Sequence, residues 1–261
     1  MALLPSRVSA VVFDCDGLLL DTEICWSRAE EALFAKFGHD FGPEEKDLLI
    51  GRALDDACET AANYFSIPGQ GAEVRAILEP LVLRELESSV EPLPGAIELL
   101  ESLHGRVPLA VATNSPRAML DSAFSHVDLA GYFEFSIAAD EADRPKPSPE
   151  LYLRAFLALD ADPRCGVAIE DSATGVKAAR DSGAYVITVP SQTGKNLDGD
   201  LLADSLKDER ISAWAQSVLS IGGEQMYECY GRRFHTATAP PAAAATAVPW
   251  RPIFAARRMV R

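Results

Sequence analysis

Asp14 and Asp16 stand two residues apart where the apolar run Val8-Ser9-Ala10-Val11-Val12-Phe13 gives way to Gly17. Side chains two apart on an extended chain face the same way, so both carboxylates can address one ligand while Cys15 points elsewhere. Such a pair can divide the work of group transfer, with Asp14 as nucleophile and Asp16 as acid and base. That chemistry needs partners: a second acidic site for a metal, hydroxyl and amide donors for an anion, and a fixed positive charge.

Candidates for each stand further along. Val111-Ala112-Thr113-Asn114-Ser115-Pro116 ends an apolar run with the Thr113 hydroxyl and with the Asn114 and Ser115 N–H groups opening a helix, a natural place for an anion. In Arg144-Pro145-Lys146-Pro147-Ser148-Pro149 three prolines stiffen the chain around Lys146, which could hold it as a fixed charge. Val167-Ala168-Ile169-Glu170-Asp171-Ser172 ends another apolar run in two acids; with Asp14 they offer hard oxygen ligands from two strand ends, an arrangement suited to Mg²⁺. Taken singly, each of these stretches is also what an acidic turn, a helix cap or a solvated lysine looks like.

The elements that must position these residues follow from periodicity. Short apolar, β-branched runs at 8–13, 107–112, 135–138, 166–169 and 185–189 read as buried strands. Between the later ones lie helical patterns at 94–103, 116–124, 148–159 and 172–182, the last opening at Ser172 and stopping at Gly183. Strands alternating with helices imply an α/β fold, a doubly wound parallel sheet with a Rossmann-like core, whose sites form at the carboxyl ends of the strands. The interval 22–90 breaks the alternation. It reads as helices only, over 22–37 with Thr22 as cap, 43–49, 53–64 and 72–87. An inserted α-helical cap domain over residues 22–90 is therefore expected, with the core made of 1–21 and 91–221. Residues 222–261 carry six Arg against two Glu and an Ala/Pro/Thr stretch without period, which predicts a poorly ordered basic tail.

The whole chain has 261 residues and a formal net charge of −15, which argues against a nucleic-acid surface, since that needs clustered Lys and Arg. An acidic protein acting on an anion must supply positive charge locally, from a cation or a few placed side chains. The five cysteines are scattered without Cys-x-x-Cys or zinc-ligand spacing, so free thiols are expected. Absence of a signal-peptide pattern and of a long apolar run predicts a soluble cytoplasmic protein with no membrane partner; a monomer is favoured. Competing chemistries fail on spacing. No cysteine is followed by Arg six residues later, and Gly194-Lys195-Asn196 lacks both the leading glycine and the hydroxyl of a P-loop.

Together the four stretches, in order and each at a strand end, resemble the haloacid dehalogenase superfamily of phosphatases and phosphomutases over about residues 8 to 190. The helical insert between the first and second stretches further resembles the branch that includes beta-phosphoglucomutase, phosphoglycolate phosphatase and sugar-phosphate phosphatases. The resemblance implies that Asp14 attacks phosphorus, that Asp16 protonates the leaving oxygen and then deprotonates water, and that Thr113 and the Asn114 amide hold the phosphoryl oxygens. Lys146 would neutralise phosphoryl charge. Mg²⁺ would lie between Asp14, the Asp16 carbonyl and Asp171, with Glu170 a ligand or a neighbour of the ligands. The presence of Asp16 favours phosphate esters over carbon–halogen and phosphonate bonds, because only an ester needs a proton on its leaving oxygen. Pro145 stands where the family usually has a small residue before the lysine. Arg52, after Gly51, lies where related caps present a substrate loop and is expected to contact the substrate beyond its phosphate. A small phosphorylated metabolite is the expected substrate. A phosphomutase would use the same residues, and a degenerate member that only binds phosphometabolites is the non-enzymatic alternative.

Overall fold

Val11, Val12 and Phe13 are all wholly buried, which requires the strand they form to be covered on both faces. The computed structural model, which describes residues 4–49, 52, 54–191 and 197–221, shows how. The chain runs β1 (Arg7–Val8), β2 (Val11–Phe13), α1 (Glu23–Lys36), α2 (Pro43–Leu49), α3 (Leu54–Tyr64), α4 (Gly71–Ser89), α5 (Ala96–Leu103), β3 (Leu109–Ala112), α6 (Arg117–Val127) and β4 (Phe135–Ile137). It continues through α7 (Glu150–Ala158), β5 (Val167–Glu170), α8 (Ala173–Ser182), β6 (Tyr185–Thr188), β7 (Leu201–Leu202), α9 (Glu209–Ser217) and β8 (Leu219–Ser220). Six strands form one parallel sheet in the order β4-β3-β2-β5-β6-β7. β2 therefore sits at the switch point, with β3 on one side and β5 on the other, and its carboxyl end is where an open α/β sheet forms a crevice.

Strand alternation sorts the side chains between two cores. Val11 and Phe13 with Leu109, Val111, Val167 and Ile169 pack on the side of α5, α6 and α9. Ala10 and Val12 with Ala110, Ala112 and Ala168 pack on the side of α7 and α8. The small alanines on this second face leave room for the large Tyr152 and Phe156 of α7.

The expected strands and helices all form within a few residues of their predicted limits, with corrections that have local causes. The first predicted strand is two. The Ser9 N–H donates to the Cys165 carbonyl and its hydroxyl to Asp162, which takes the chain out of the sheet. β1 instead pairs with β8 in a separate two-stranded sheet. Thr22 does precede α1, but its hydroxyl makes no cap bond, because Thr22 is buried and already in helical conformation. α6 begins at Arg117, so the Asn114 and Ser115 N–H groups lie in the turn before it rather than in its first turn. α9, β7 and β8 were not expected from periodicity. Residues 222–261, including Cys229, and residues 50, 51 and 53 lie outside the described residues, as does the P-loop-like stretch at 194–196. Cys15, Cys25 and Cys58 are buried free thiols, and Cys165 is buried as well. Among the described residues no helix is long and apolar enough to cross a membrane.

Four helices, α1 to α4, thus intervene between β2 and α5, the helix that leads into β3. The two crossings to and from them are bonded to each other: Asp21 N–H to Glu91 O and Leu93 N–H to Leu19 O, with Leu20 bridged to Pro92. Within the insert, Glu30 intrudes on the buried stripe of α1 formed by Cys25, Ala29, Leu33 and Phe34. Burial pushes its carboxyl from the ordinary 4.5 up to about 7, with Lys46 opposing and Glu23 adding to the shift. The folded chain therefore holds this proton more tightly than the unfolded chain, and stability falls as pH rises from about 4.5 to about 7. Glu30→Gln removes the burial of charge and should be on the order of 2–3 kcal/mol more stable than wild type in urea melts at pH 8. The gain should vanish near pH 4.5, and equal stability at pH 8 would contradict it.

Candidate active site

Each chemistry-bearing residue sits at the carboxyl end of a strand of the central sheet. Asp14 follows β2 and is held extended by its N–H bond to Ile169 O at 3.0 Å. Continuing the alternation of β2, it leaves the strand on the side of Val12, and Glu170 at the end of β5 leaves on the side of Ala168. Both therefore reach toward α7.

Lys146 arrives between them from the loop after β4. Its ammonium donates to Asp14 Oδ1 at 2.5 Å and to Glu170 Oε1 at 2.6 Å, and its side chain is 2 % exposed. The prolines around it thus hold a buried charge, and Pro145 does not keep it from the site; the Lys146–Pro147 peptide is cis. The loop is gripped at its backbone by Asn114, whose Oδ1 accepts from Lys146 N–H at 2.8 Å and whose Nδ2 donates to Lys146 O at 3.1 Å. Sequence reasoning anticipated the Asn114 amide and missed this use of its side chain.

Glu170 is wholly buried and fixed. Oε1 accepts from Lys146 and, at 2.7 Å, from the Tyr152 hydroxyl; Oε2 receives the Asp171 and Ser172 N–H groups at 3.2 and 3.4 Å and the Ser172 hydroxyl at 3.3 Å. Its carboxylate lies over the start of α8, where Ser172 caps the helix by accepting from Gly175 N–H at 3.1 Å. Asp171 turns toward Gly17, which adopts φ +77°; a Cβ on Gly17 would stand 2.6 Å from Asp171 Oδ2. The Ser191 side chain, beyond β6, bonds to Asp171 as well. Neither Ser191 nor Tyr152 carried a motif in the sequence; Tyr152 only fell within the helix expected over 148–159.

Thr113 Oγ1 donates to Asp16 Oδ2 at 2.9 Å and accepts from Ser115 N–H at 3.0 Å. Its hydroxyl thus orients the second carboxylate of the opening pair. Among the described residues, the backbone N–H groups of Asp16 and Asn114 meet no acceptor in the protein. Arg52 is exposed in the turn between α2 and α3, with Nε donating to Leu48 O at 2.6 Å, and it is not among the residues brought together here.

Four carboxylates, Asp14, Asp16, Glu170 and Asp171, therefore face one ammonium. Burial pushes the Asp14 carboxyl well up, with Lys146 pulling it back and Glu170, Asp171 and Asp16 adding to the rise. Burial and then Glu170 lift Asp171 to about 7, against Ser191 and Lys146. Lys146 stays charged, because Asp14 and Glu170 outweigh the cost of its burial. Such an excess of buried negative charge is what a cation relieves. Asp14, Glu170 and Asp171 each offer a carboxylate oxygen, all within 4.8 Å of one another, which fits a hard divalent ion.

Residues 11–189 match the haloacid dehalogenase-like hydrolase family. Over 209 residues the chain is 30 % identical to hexitol phosphatase B of Escherichia coli K12, covering 77 % of this chain and 91 % of that one. It is 32 % identical over 212 residues to a bifunctional riboflavin kinase/FMN phosphatase of Arabidopsis thaliana, covering 79 % of this chain and spanning about half, 55 %, of that longer relative. Among solved structures, CbbY from Rhodobacter sphaeroides in complex with phosphate superposes with a TM-score of 0.68 at 26 % identity, covering 77 % of this chain and 96 % of that one. The chain belongs to the haloacid dehalogenase-like hydrolase family.

Gly175 tests how firmly Glu170 must be held. A Cβ there would lie 1.9–2.0 Å from the Glu170 carboxylate. In an open helix, Gly→Ala stabilises by about 1 kcal/mol. Here Gly175→Ala should instead destabilise by about 1–3 kcal/mol in urea melts, the range for overpacked sites. Any hydrolytic activity should drop at least about tenfold, one displaced charge-assisted bond being worth that much. A stabilised variant would mean that Glu170 is free to move.

Proposed function

We propose that, within this family, the chain is a Mg²⁺-dependent phosphatase that hydrolyses a small phosphorylated metabolite, a sugar, polyol or related phosphate monoester, through an aspartyl-phosphate on Asp14. The observation that carries this reading is the buried Lys146 ammonium bonded to Asp14 at 2.5 Å, with Asp16 held two residues further by Thr113. A buried lysine on the nucleophile favours its ionised form against the burial that opposes it, and balances the charge of an incoming phosphoryl group. The relatives named as phosphatases of hexitol phosphate and of FMN support the reaction type and a substrate that is a phosphate ester.

In the reaction, an Asp14 carboxylate oxygen attacks phosphorus, the bond from phosphorus to the ester oxygen breaks, and Asp16 gives that oxygen its proton. Asp16 then takes a proton from water, whose oxygen attacks the phosphorus; the bond to Asp14 breaks and inorganic phosphate leaves. The unmet Asp16 and Asn114 N–H groups and Lys146 hold the phosphoryl oxygens. Asp14, Asp171 and Glu170, with the Asp16 main-chain carbonyl, would hold Mg²⁺, which when bound supplies neutralising charge at the phosphoryl group. The helical insert acts as a cap that covers the strand ends and reads the leaving group, with Arg52 as its contact. Buried free thiols at Cys15, Cys25 and Cys58 suit the reducing cytoplasm as the place of action.

The test is a panel of phosphorylated sugars, polyols and FMN assayed for released phosphate beside a glucose 1-phosphate isomerisation assay. Release should exceed isomerisation; the reverse result makes the protein a phosphomutase. Asp14→Asn should abolish both turnover and phosphoenzyme formation, and Asp16→Asn should lower turnover by about 10²–10⁴. EDTA should silence the wild type and added Mg²⁺ restore it. Full activity in the chelator rules out the metal.

A further inference from the structure

Tyr152 is the largest wholly buried side chain on the α7 face of the sheet, and it carries a hydroxyl that the proposed chemistry does not use. A phenylalanine would fill the same space without the cost of burying a polar group, so the hydroxyl requires a reason. Its partner is Glu170 Oε1 at 2.7 Å, the same oxygen that receives Lys146 at 2.6 Å. The phenol oxygen is 3.5 Å from the Lys146 ammonium, which also lies 4.9 Å from the centre of the Tyr152 ring. Tyr152 thus touches Lys146 with its ring and its hydroxyl and touches the counter-charge of Lys146 with its proton.

The geometry around Lys146 decides what this contact does. An ammonium between two buried carboxylates is drawn to both, and one that settles on Glu170 is lost to the Asp14 side of the site. Glu170 cannot retreat, since Oε2 is bonded at the start of α8 and Gly175 lies directly beneath it. The Tyr152 hydroxyl takes up part of the acceptor capacity of Oε1, which weakens the hold of Glu170 on Lys146. The ring closes one side of the ammonium with a surface that attracts a cation, and the phenol oxygen at 3.5 Å is a far more distant acceptor than Asp14 Oδ1 at 2.5 Å. Asn114 fixes the other end of the side chain by gripping the Lys146 backbone. The direction left open runs to Asp14.

We propose that Tyr152 is a positioning residue that aims the Lys146 ammonium at Asp14 and at the phosphoryl group bound there. The inference rests on the phosphatase reading above. Its test reads inorganic phosphate affinity in the presence of Mg²⁺ by ³¹P NMR titration, which follows dissociation constants into the millimolar range, alongside kcat on p-nitrophenyl phosphate. Tyr152→Phe keeps the ring and removes the hydroxyl. It should retain a cooperative thermal transition, weaken phosphate binding about tenfold and lower kcat about tenfold, the scale of one hydrogen bond to a charged group. In a Lys146→Met background the same change should alter phosphate affinity less than about twofold, since a residue acting through Lys146 has nothing left to aim.

Three results would overturn the proposal. Tyr152→Phe could match wild type in phosphate affinity and kcat; it could weaken phosphate equally with and without Lys146; or it could lose its cooperative transition, which would make the hydroxyl a support of the fold. The first two, seen beside a wild type that binds and releases phosphate, leave the phosphatase reading standing. A wild type that does neither removes both.

Discussion

The structure depends on one buried charge, the Lys146 ammonium held between Asp14 and Glu170. Taking three charged groups out of water costs several kcal/mol for each, and replacing such groups with apolar ones often stabilises a protein, so this clasp is no source of stability. It persists because the surroundings hold each of its members in place. Asn114 holds the lysine backbone, α8 and Gly175 hold Glu170, and β2 and β5, in register through Phe13 and Ile169, hold the two carboxylates apart. The stabilisation comes from elsewhere, from apolar cores on both faces of the sheet that bury nearly every strand residue completely.

The two faces are not alike, and the difference explains why the charges gather where they do. On the side of α5, α6 and α9 the central strands present Val, Leu, Ile and Phe, which fill the space against the helices. On the side of α7 and α8 they present Ala10, Ala110, Ala112 and Ala168. Small strand residues let α7 approach closely enough for Tyr152 to reach past the end of β5. Because side chains alternate, Asp14 and Glu170 leave their strands on this same side, where a phenol can meet them. Bulky residues at those alanines would push α7 outward and break the contact.

What was legible in the sequence was local. Ser172 caps α8 and Gly183 ends it in the left-handed conformation, as a serine and a glycine at those places announce. The parallel sheet followed from apolar runs separated by helical ones; Asp14, Asp16, Glu170 and Asp171 could be picked out because each stands just past such a run, and Lys146 because prolines flank it in the loop after another. What was not legible depends on a distant partner. Ser9 leaves the first strand because of Cys165 and Asp162; β8 exists because β1 offers it an edge; Ser191 matters through Asp171. Two-residue strands carry no period to detect. Only the Asn114 backbone N–H was read in the sequence, because nothing local reveals that its side chain pairs with the backbone of a residue 32 positions away.

The position of the insert, directly after the opening pair of carboxylates, raises a mechanical difficulty that the structure resolves. Motion in four helices that begin seven residues beyond Asp16 could disturb the placement of the two carboxylates. Between them lies a closed turn. The Leu19 and Leu20 N–H groups return to Cys15 O at 2.9 and 3.1 Å, and the Gly17 N–H donates to Leu20 O at 2.9 Å. Leu18, Leu19 and Leu20 are anchored in the core, each at most 1 % exposed. Next to them the outgoing and returning chains are tied together through Leu20 and Pro92. A displacement of the insert therefore enters beyond Leu20, where the two crossings move as a pair. The apolar triplet that looks in the sequence like a simple continuation of the motif serves as a clamp, and it lets a single chain segment carry both a fixed pair of carboxylates and the helical insert.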